Sequence, residues 1–506
     1  MSHNPNPFDF VPFVESGPNL YPLKEFVASD KLLTGYLTVR IKALTPVHIV
    51  GDQNADGKLS TVPHERDKKK KNYKINNSSF FRRGSNAIIP SSTIRGCLRS
   101  FIEAATNGWV SQFTPYYEQK NWTRKYGFKV DGNVKVQNQK LFDQSIPAAL
   151  NVKYILPPDG SDIIDIPSFL FGYTSEEGNA RKGCVVIEDA MIAKDSLGND
   201  GRYRIPDIND SAFMGGPKPS ASSWWYQYPH QIRLRKFKDR DGSLKVGADF
   251  IGSGYRGRKF YFHQDSAECY DWYSNSKKWP QRSGHEVYPI PVECLKPGSE
   301  TDEFRIYFDE IHEQLLKLLI LALMPGSSGT EKGKPTLRHK LGYGKAYGYG
   351  SIEYMITGGK IREEKEGSTG GEYIQRLQKE VVSSIWDFDK LNKIGIGKYL
   401  HKKNLEMLAK ILWFDSSEKL LFQYPPFGNG GFLPVITEDE LLSVLDDISK
   451  QRLLQVKSIA VNRVIGKNLA RQIYHNGYRK ALHFKVYQEN SDNYQKIQQR
   501  NLYNCQ

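Results

Sequence analysis

Four glycines fall within ten residues at Leu341–Gly350, interleaved with three tyrosines and one lysine. Neither a helix nor a strand interior suits that density of glycine, because each gives up more backbone freedom on ordering than any other residue. The segment is therefore a tight loop, and its neighbours fix what it connects. Upstream, Phe304–Phe308 alternates as a strand. Asp309 then reads as the cap of a helix whose apolar side is Ile311, Leu315, Leu316, Leu318, Leu319 and Leu323, stopped by Met324-Pro325-Gly326. Downstream, Ser351–Ile356 reads as a strand. A strand–helix–loop–strand unit is thus written into the chain around the glycines.

The chemistry of the loop admits two readings. Gly342, Gly344, Gly348 and Gly350 let backbone N–H groups approach a phosphate and allow positive φ, Lys345 supplies charge, and the tyrosines supply stacking faces. Alternatively the loop is a glycine-rich turn that merely packs closely. It is not a Walker loop, since no Gly-Lys-Ser/Thr follows at the required spacing. Nor does it open a helix, as a dinucleotide fingerprint does.

A second candidate surface lies upstream. Gly35–Leu44 approaches period-two alternation and reads as a strand, ended by Thr45-Pro46, with Val47–Val50 again extended. Asp52–Asn77 is a polar loop carrying Lys68–Lys71, which suits a solvated loop or a phosphate contact. After Ile89-Pro90 come Ser91, Ser92 and Thr93, natural N-caps for a helix with Ile94, Cys97, Leu98, Phe101 and Ile102 on one face. Arg95 and Arg99 recur one turn apart, and a helix N-terminus with such arginines suits an anion. An ordinary capped amphipathic helix with solvent-facing arginines fits the same residues.

With 506 residues there is room for more than one core or for one heavily inserted domain. Residues 1–31 read as an extended arm anchored by Phe8, Phe10, Val11 and Phe13. The core is expected over 32–356, with insertions at about 107–165 and 195–300, and a basic, mainly helical region over 359–506. In that last region Glu372–Phe388 and Tyr399–Phe414 read as helical, and Thr437–Glu440 as a capping box. Residues 451–488 hold no Asp or Glu. The net charge of +15 and 12% aromatic content point to a polyanion, nucleic acid first. No long apolar run predicts a membrane span, and Met1–Pro12 lacks the pattern of a secretory signal. Five cysteines lie far apart, which speaks against a disulfide framework or a structural zinc site and fits a reducing cytosol.

At this point the chain resembles a known family, the CRISPR-associated RAMP superfamily (repeat-associated mysterious proteins), in particular backbone subunits of type III effector complexes. The resemblance rests on blocks in order. They are Gly35–Val50 with its Thr-Pro-x-His-Ile; Ile89–Arg99, similar to the family's Ile-Pro-Gly-Ser-Ser-Leu-Arg-Gly-x-x-Arg; Leu170-Phe171-Gly172 followed by Val185–Ala190; Phe304–Leu323; and the glycine loop. Pro7–Val11 and Arg256–Tyr261, with His263, are similar to a large-RAMP subgroup. Ser91 stands where the family has glycine. The resemblance implies an α+β fold with a ferredoxin-like (RRM-like) core. It also implies stacking with similar effector subunits along a guide RNA, contact with target RNA, and a cytoplasmic location. The residues expected on RNA are Ser91, Ser92, Thr93, Arg95, Arg99, Arg256, Arg258, Lys259, Gly342, Gly344, Lys345, Gly348 and Gly350.

Active members of that family cut target RNA with a divalent metal and an aspartate in the loop before the Ile-Pro block. Matching Arg82 to the family's arginine puts Asn77 or Ser78 at that place, and neither is an anionic base or a charged metal ligand. Asp52, Asp56 and Asp67 are the substitutes within the loop, with Mg²⁺ or Mn²⁺ as cofactor if they serve; otherwise no cofactor is expected. Two classes therefore stand: a non-catalytic scaffold for guide and target RNA, and a metal-dependent endoribonuclease subunit. A guide-processing nuclease is a third, without a matching His/Tyr/Lys constellation.

Overall fold

The computed structural model describes residues 8–14, 16–28, 31–51, 61–63, 73–75, 79–110, 162–174, 180–198, 203–206, 231–238, 244–251, 257–264, 289–326, 336–362, 370–385 and 387–414. Residues 61–63, 73–75, 204–206, 231–238, 244–251, 289–290 and 370 are described by backbone alone. Asp52, Asp56, Asp67, Asn77, Ser78, Arg256, Lys68–Lys71, the Thr437–Glu440 box and residues 451–488 lie outside these.

In chain order, the elements that frame the site are β1 (Phe8–Val11), β2 (Leu33–Ala43), β3 (Asn86–Ile89), α1 (Ser91–Ala105), α2 (Ile166–Phe171), β4 (Val185–Ile187), β5 (Arg258–Tyr261) and β6 (Phe304–Ile311), followed by α3 (Glu313–Leu323), β7 (His339–Lys340), β8 (Ser351–Ile361), α4 (Gly370–Ser384) and α5 (Lys402–Ile411). Five of the strands form one antiparallel sheet in the order β4-β6-β2-β8-β7. Helix and sheet are mixed, and the fold is α+β.

The sheet follows from alternation. Leu37, Val39 and Ile41 of β2 and Phe304, Ile306 and Phe308 of β6 are all buried, while Tyr36, Thr38, Arg305 and Tyr307 point to the other face. Each buried apolar side chain stabilises the fold by about 1.5–3 kcal/mol. Helices α1, α3 and α4 cover the apolar face, α1 through Ile94, Leu98, Phe101 and Ile102. Cys97, expected on that same apolar side, is only partly buried at its edge. In α3 every residue from Leu315 to Leu323 is buried, not one side only, because α4 packs on its outer flank with Ile374, Leu377 and Val381.

Two expectations about helix starts are corrected. Strand β6 runs on through Asp309 to Ile311, with a register shift after Phe308 and Glu310 at φ 49°. Asp309 is therefore no cap; it accepts a hydrogen bond from the Thr34 hydroxyl at 3.0 Å, and His312 takes the N-cap position of α3. Helix α1 starts at Ser91, so Ser91, Ser92 and Thr93 form its first turn, with Pro90 at the N-cap position and no side-chain cap of its own. The cap comes from elsewhere: the Ser91 N–H donates to Asp189 Oδ1 at 2.7 Å.

The C-terminal helices join the same core. Strand β8 reaches Ile361, beyond the expected end at 356. His401 N–H and the Asn404 side-chain amide on α5 donate to the carbonyls of Ala105 and Ala104 at the end of α1. The Tyr399–Phe414 stretch, read as one helix, is a 3₁₀ turn, α5 and a short strand, Trp413–Phe414, paired with Thr336–Leu337.

Candidate nucleic-acid interface

Pairing of His339 with Ile352 and of Lys340 with Ser351 makes Leu341–Gly350 a hairpin loop, closed by Leu341 N–H donating to Gly350 O at 2.7 Å. Gly342, Gly344, Gly348 and Gly350 have φ of 79°, 77°, 84° and 81°, so all four occupy the left-handed region that disfavours any side chain. They divide by task. A Cβ at Gly350 would sit 2.1 Å from Leu341 O, and one at Gly342 would sit 2.4 Å from His48 O. Those two let the loop lie against Pro46–His48, where Gly350 and Tyr343 N–H donate to Pro46 O and His48 O, each at 2.8 Å. Close packing, one of the two sequence readings, is what Gly342 and Gly350 do.

Gly344 and Gly348 instead flank a single 3₁₀ turn, Lys345–Tyr347. Two side chains brace it from outside: Gln264 donates to Ala346 O at 2.6 Å and Lys340 Nζ to Tyr349 O at 2.9 Å. Tyr347 and Tyr349 are 3% exposed, which removes them as stacking faces; burial against the core claims their rings. The N–H groups of Gly344, Lys345 and Ala346 meet no acceptor among the described residues. Successive backbone N–H groups around a left-handed glycine form an anion-binding concavity, and sheltered donors are rarely left unmet in a finished structure.

Cations gather at this turn. Strand β1 pairs with β5 and sets Phe10 opposite Lys259, whose ammonium lies 3.9 Å from the Phe8 ring centroid and 4.5 Å from that of Tyr261. Burial, and then repulsion from Lys345, pull the Lys259 pKa down to about 7. Burial also lowers Lys345, opposed only by the Cys97 thiol on α1, and no carboxylate pairs with Lys345 among the described residues. Cys97 in turn is pushed up by burial, against the pull of Lys345 and a hydrogen bond with Tyr354. Two histidines beneath the loop are neutral. His263 donates from Nε2 to Arg338 O at 3.0 Å and meets Ser351 Oγ at 2.8 Å, and burial drives its pKa well below the ordinary value. Burial brings His339 down to about 4, with its Nε2–H on Ala322 O.

The other expected residues divide between solvent and structure. Ser92 is exposed, Ser91 and Thr93 half-buried, and Arg95 half-buried with no ion pair among the described residues. The N-terminus of α1 already holds the Asp189 carboxylate, which Arg83 pairs at 3.1 Å. Arg99 is tied down, Nε to Glu103 at 2.9 Å and a terminal nitrogen to Gly172 O at 2.6 Å. Arg258 donates to Gly108 O and stacks on Phe13 at 4.7 Å. Lys259, Lys345 and the glycine loop therefore come together with α1 at Cys97. Asp189, Gln264 and Lys340 belong to the arrangement without having stood out in the sequence, since each acts through a partner distant along the chain.

Among the described residues no three His, Cys, Asp or Glu side chains are arranged to hold a metal, and no helix is long and apolar enough to cross a membrane. The carboxylates expected to serve a metal, Asp52, Asp56 and Asp67, lie outside the described residues.

The site is thus a glycine-cradled cationic turn at the end of an α+β sheet covered on one side by helices. A family model described as the RAMP superfamily matches residues 40–353, more than half of the chain, and the chain belongs to that superfamily. Its members are CRISPR-associated, bind RNA and act in multi-subunit complexes. Among curated proteins, none matches the chain closely enough to name a relative.

Proposed function

We propose that this chain is an RNA-binding backbone subunit of a type III CRISPR ribonucleoprotein in the cytoplasm, holding guide RNA, and the guide–target duplex, beside similar subunits. The observation that carries the reading is the Lys345 turn. Desolvated Lys345 and Lys259 and three unmet N–H groups converge there, and no described carboxylate pairs with Lys345. A phosphodiester supplies the missing negative charge and acceptors together. RNA here is gripped through its phosphate backbone rather than its bases, which suits a guide of any sequence.

A ferredoxin-like core is part of the reading. It is supported by the strand order β4-β6-β2-β8, with α1 between β2 and β4 and α3 between β6 and β8. In this arrangement Arg99, Arg258 and Asp189 position the groove walls, and Arg95 and Ser92 extend the RNA path along α1. The test is fluorescence anisotropy with a single-stranded guide-length RNA. Lys345→Met weakens binding on this account, whereas unchanged affinity removes the turn from the RNA path.

A further inference from the structure

The face of the sheet turned away from the helices carries its own pattern. Direct pairing sets Val186 of β4 opposite Tyr307 of β6, Tyr307 opposite Tyr36 of β2, and Tyr36 opposite Lys360 of β8. The two tyrosine rings on the central strands have centroids 5.9 Å apart at 60°. The exposed Arg305 guanidinium lies 4.8 Å from the Tyr36 centroid and extends the flat surface. In the next row Thr38 faces Gly358, where an added Cβ would meet nothing within 4 Å, so flat space opens beside the rings. Val186, 48% exposed, ends the row.

The rings are held rather than loose. Tyr307 donates its hydroxyl to Glu188 Oε1 at 2.8 Å, while the Arg305 backbone N–H donates to Glu188 Oε2 at 2.8 Å. Charge on this face is mixed, with cations and carboxylates interleaved. Glu300 and Glu303 sit on Arg40, and Glu353 sits on Arg338. Lys42 and Lys360 make no ion pair among the described residues. Half-buried tyrosine rings on adjacent strands, a guanidinium against one of them and the Lys360 ammonium beside them, on a sheet face that no described helix covers, suit stacking of unpaired bases while holding a phosphate.

We propose that this open sheet face, centred on Tyr36, Tyr307 and Arg305, is a second nucleic-acid site that takes single-stranded RNA by base stacking. It is distinct from the glycine-turn groove, lies on the opposite side of the sheet from the helices, and stands whether or not the groove reading holds. Its ligand is an unpaired segment, because the rings need exposed base faces that a duplex does not offer.

The experiment uses the full chain carrying Lys345→Met, so that binding at the turn is weakened, and a short oligouridylate containing 5-iodouridine. Photocrosslinks are expected on Tyr36 or Tyr307. Tyr36→Leu with Tyr307→Leu lowers affinity about tenfold or more, while the paired Phe variants keep it. Equal melting temperatures of the Leu and Phe variants exclude a folding cause. Absence of crosslinks on both rings with unchanged affinity in the Leu variant overturns the proposal. Loss of binding to other protein subunits with RNA affinity retained also overturns it, and makes the face a protein-docking surface. If instead the Lys345→Met chain binds guide RNA as the parent does, the groove reading fails and the crosslinks still decide this one.

Discussion

Lys317 in the core and Lys345 at the glycine turn are both lysines withdrawn from water, and the chain treats them in opposite ways. The Lys317 side chain is 8% exposed and lies 2.9 Å from both Glu313 and Glu380. Burial alone would lower its pKa, yet the two carboxylates raise it. Arg82, 5% exposed, is likewise clamped by Glu293 through two hydrogen bonds, at 2.7 and 2.5 Å. Lys345 has no such partner among the described residues, and burial lowers it. Among the described residues Lys317 and Arg82 receive a carboxylate counter-charge and Lys345 receives none, the contrast on which the proposed RNA contact at the turn rests.

The largest effect is expected where compensation is complete. Glu293→Ala strands Arg82 and should lower stability by about 3–5 kcal/mol, read as the shift in urea midpoint. A loss below about 1 kcal/mol would mean that Arg82 reaches water and that the contrast between the two regions is weaker than drawn. Next comes the frame of the turn. Gly350→Ala places a Cβ against Leu341 O and strains a φ of 81°, so a loss of about 1–3 kcal/mol is expected.

Lys345→Met sharpens the comparison by separating its two halves. Removing an uncompensated cation leaves the melting temperature unchanged or higher, while RNA binding loses about 1.5–3 kcal/mol. Lys317→Met does the reverse: RNA affinity is kept, and stability falls because Glu313 and Glu380 lose their nearer shared partner and keep only the longer contacts with exposed Arg376.

The smallest effect is a proton. The Lys259 pKa is about 7 in the folded chain against an ordinary 10.5, so between these values the unfolded chain holds more protons and stability of the free protein rises with pH. A bound phosphate favours the charged ammonium. RNA binding therefore takes up a proton, and affinity falls as pH rises above about 7. Among the described residues the groups facing Lys259 include Lys345 and the rings of Phe8 and Tyr261, and burial holds His263 and His339 below the pH window in question. Affinity independent of pH from about 6 to about 9 would remove Lys259 from the contact.

What could be read from the sequence was local. The apolar spacing of Ile94, Leu98, Phe101 and Ile102 located α1, and the glycine density located a loop whose four positive φ values are now seen. What could not be read depended on distant partners. Asp189 caps α1 from 98 residues away, so Ser91–Thr93 looked like the caps. Asp309-Glu310 resembles the acidic start of a helix, and only pairing of Ile311 with Leu33 across a bulge keeps it in the strand. Arg99 looked like a phosphate ligand because nothing in the sequence shows that the Gly172 carbonyl reaches it. Lys259 reaches the turn only because β1 pairs with β5.

The salt dependence of RNA affinity tests the central claim most directly, because it counts neutralised phosphates rather than folding. Measured on a single-stranded RNA, the slope of log affinity against log salt should shrink by about 0.7 for each phosphate left without its lysine when Lys345→Met and Lys259→Met are made together. Parallel lines for the variant and the parent chain would contradict the assignment of the glycine turn to the RNA backbone.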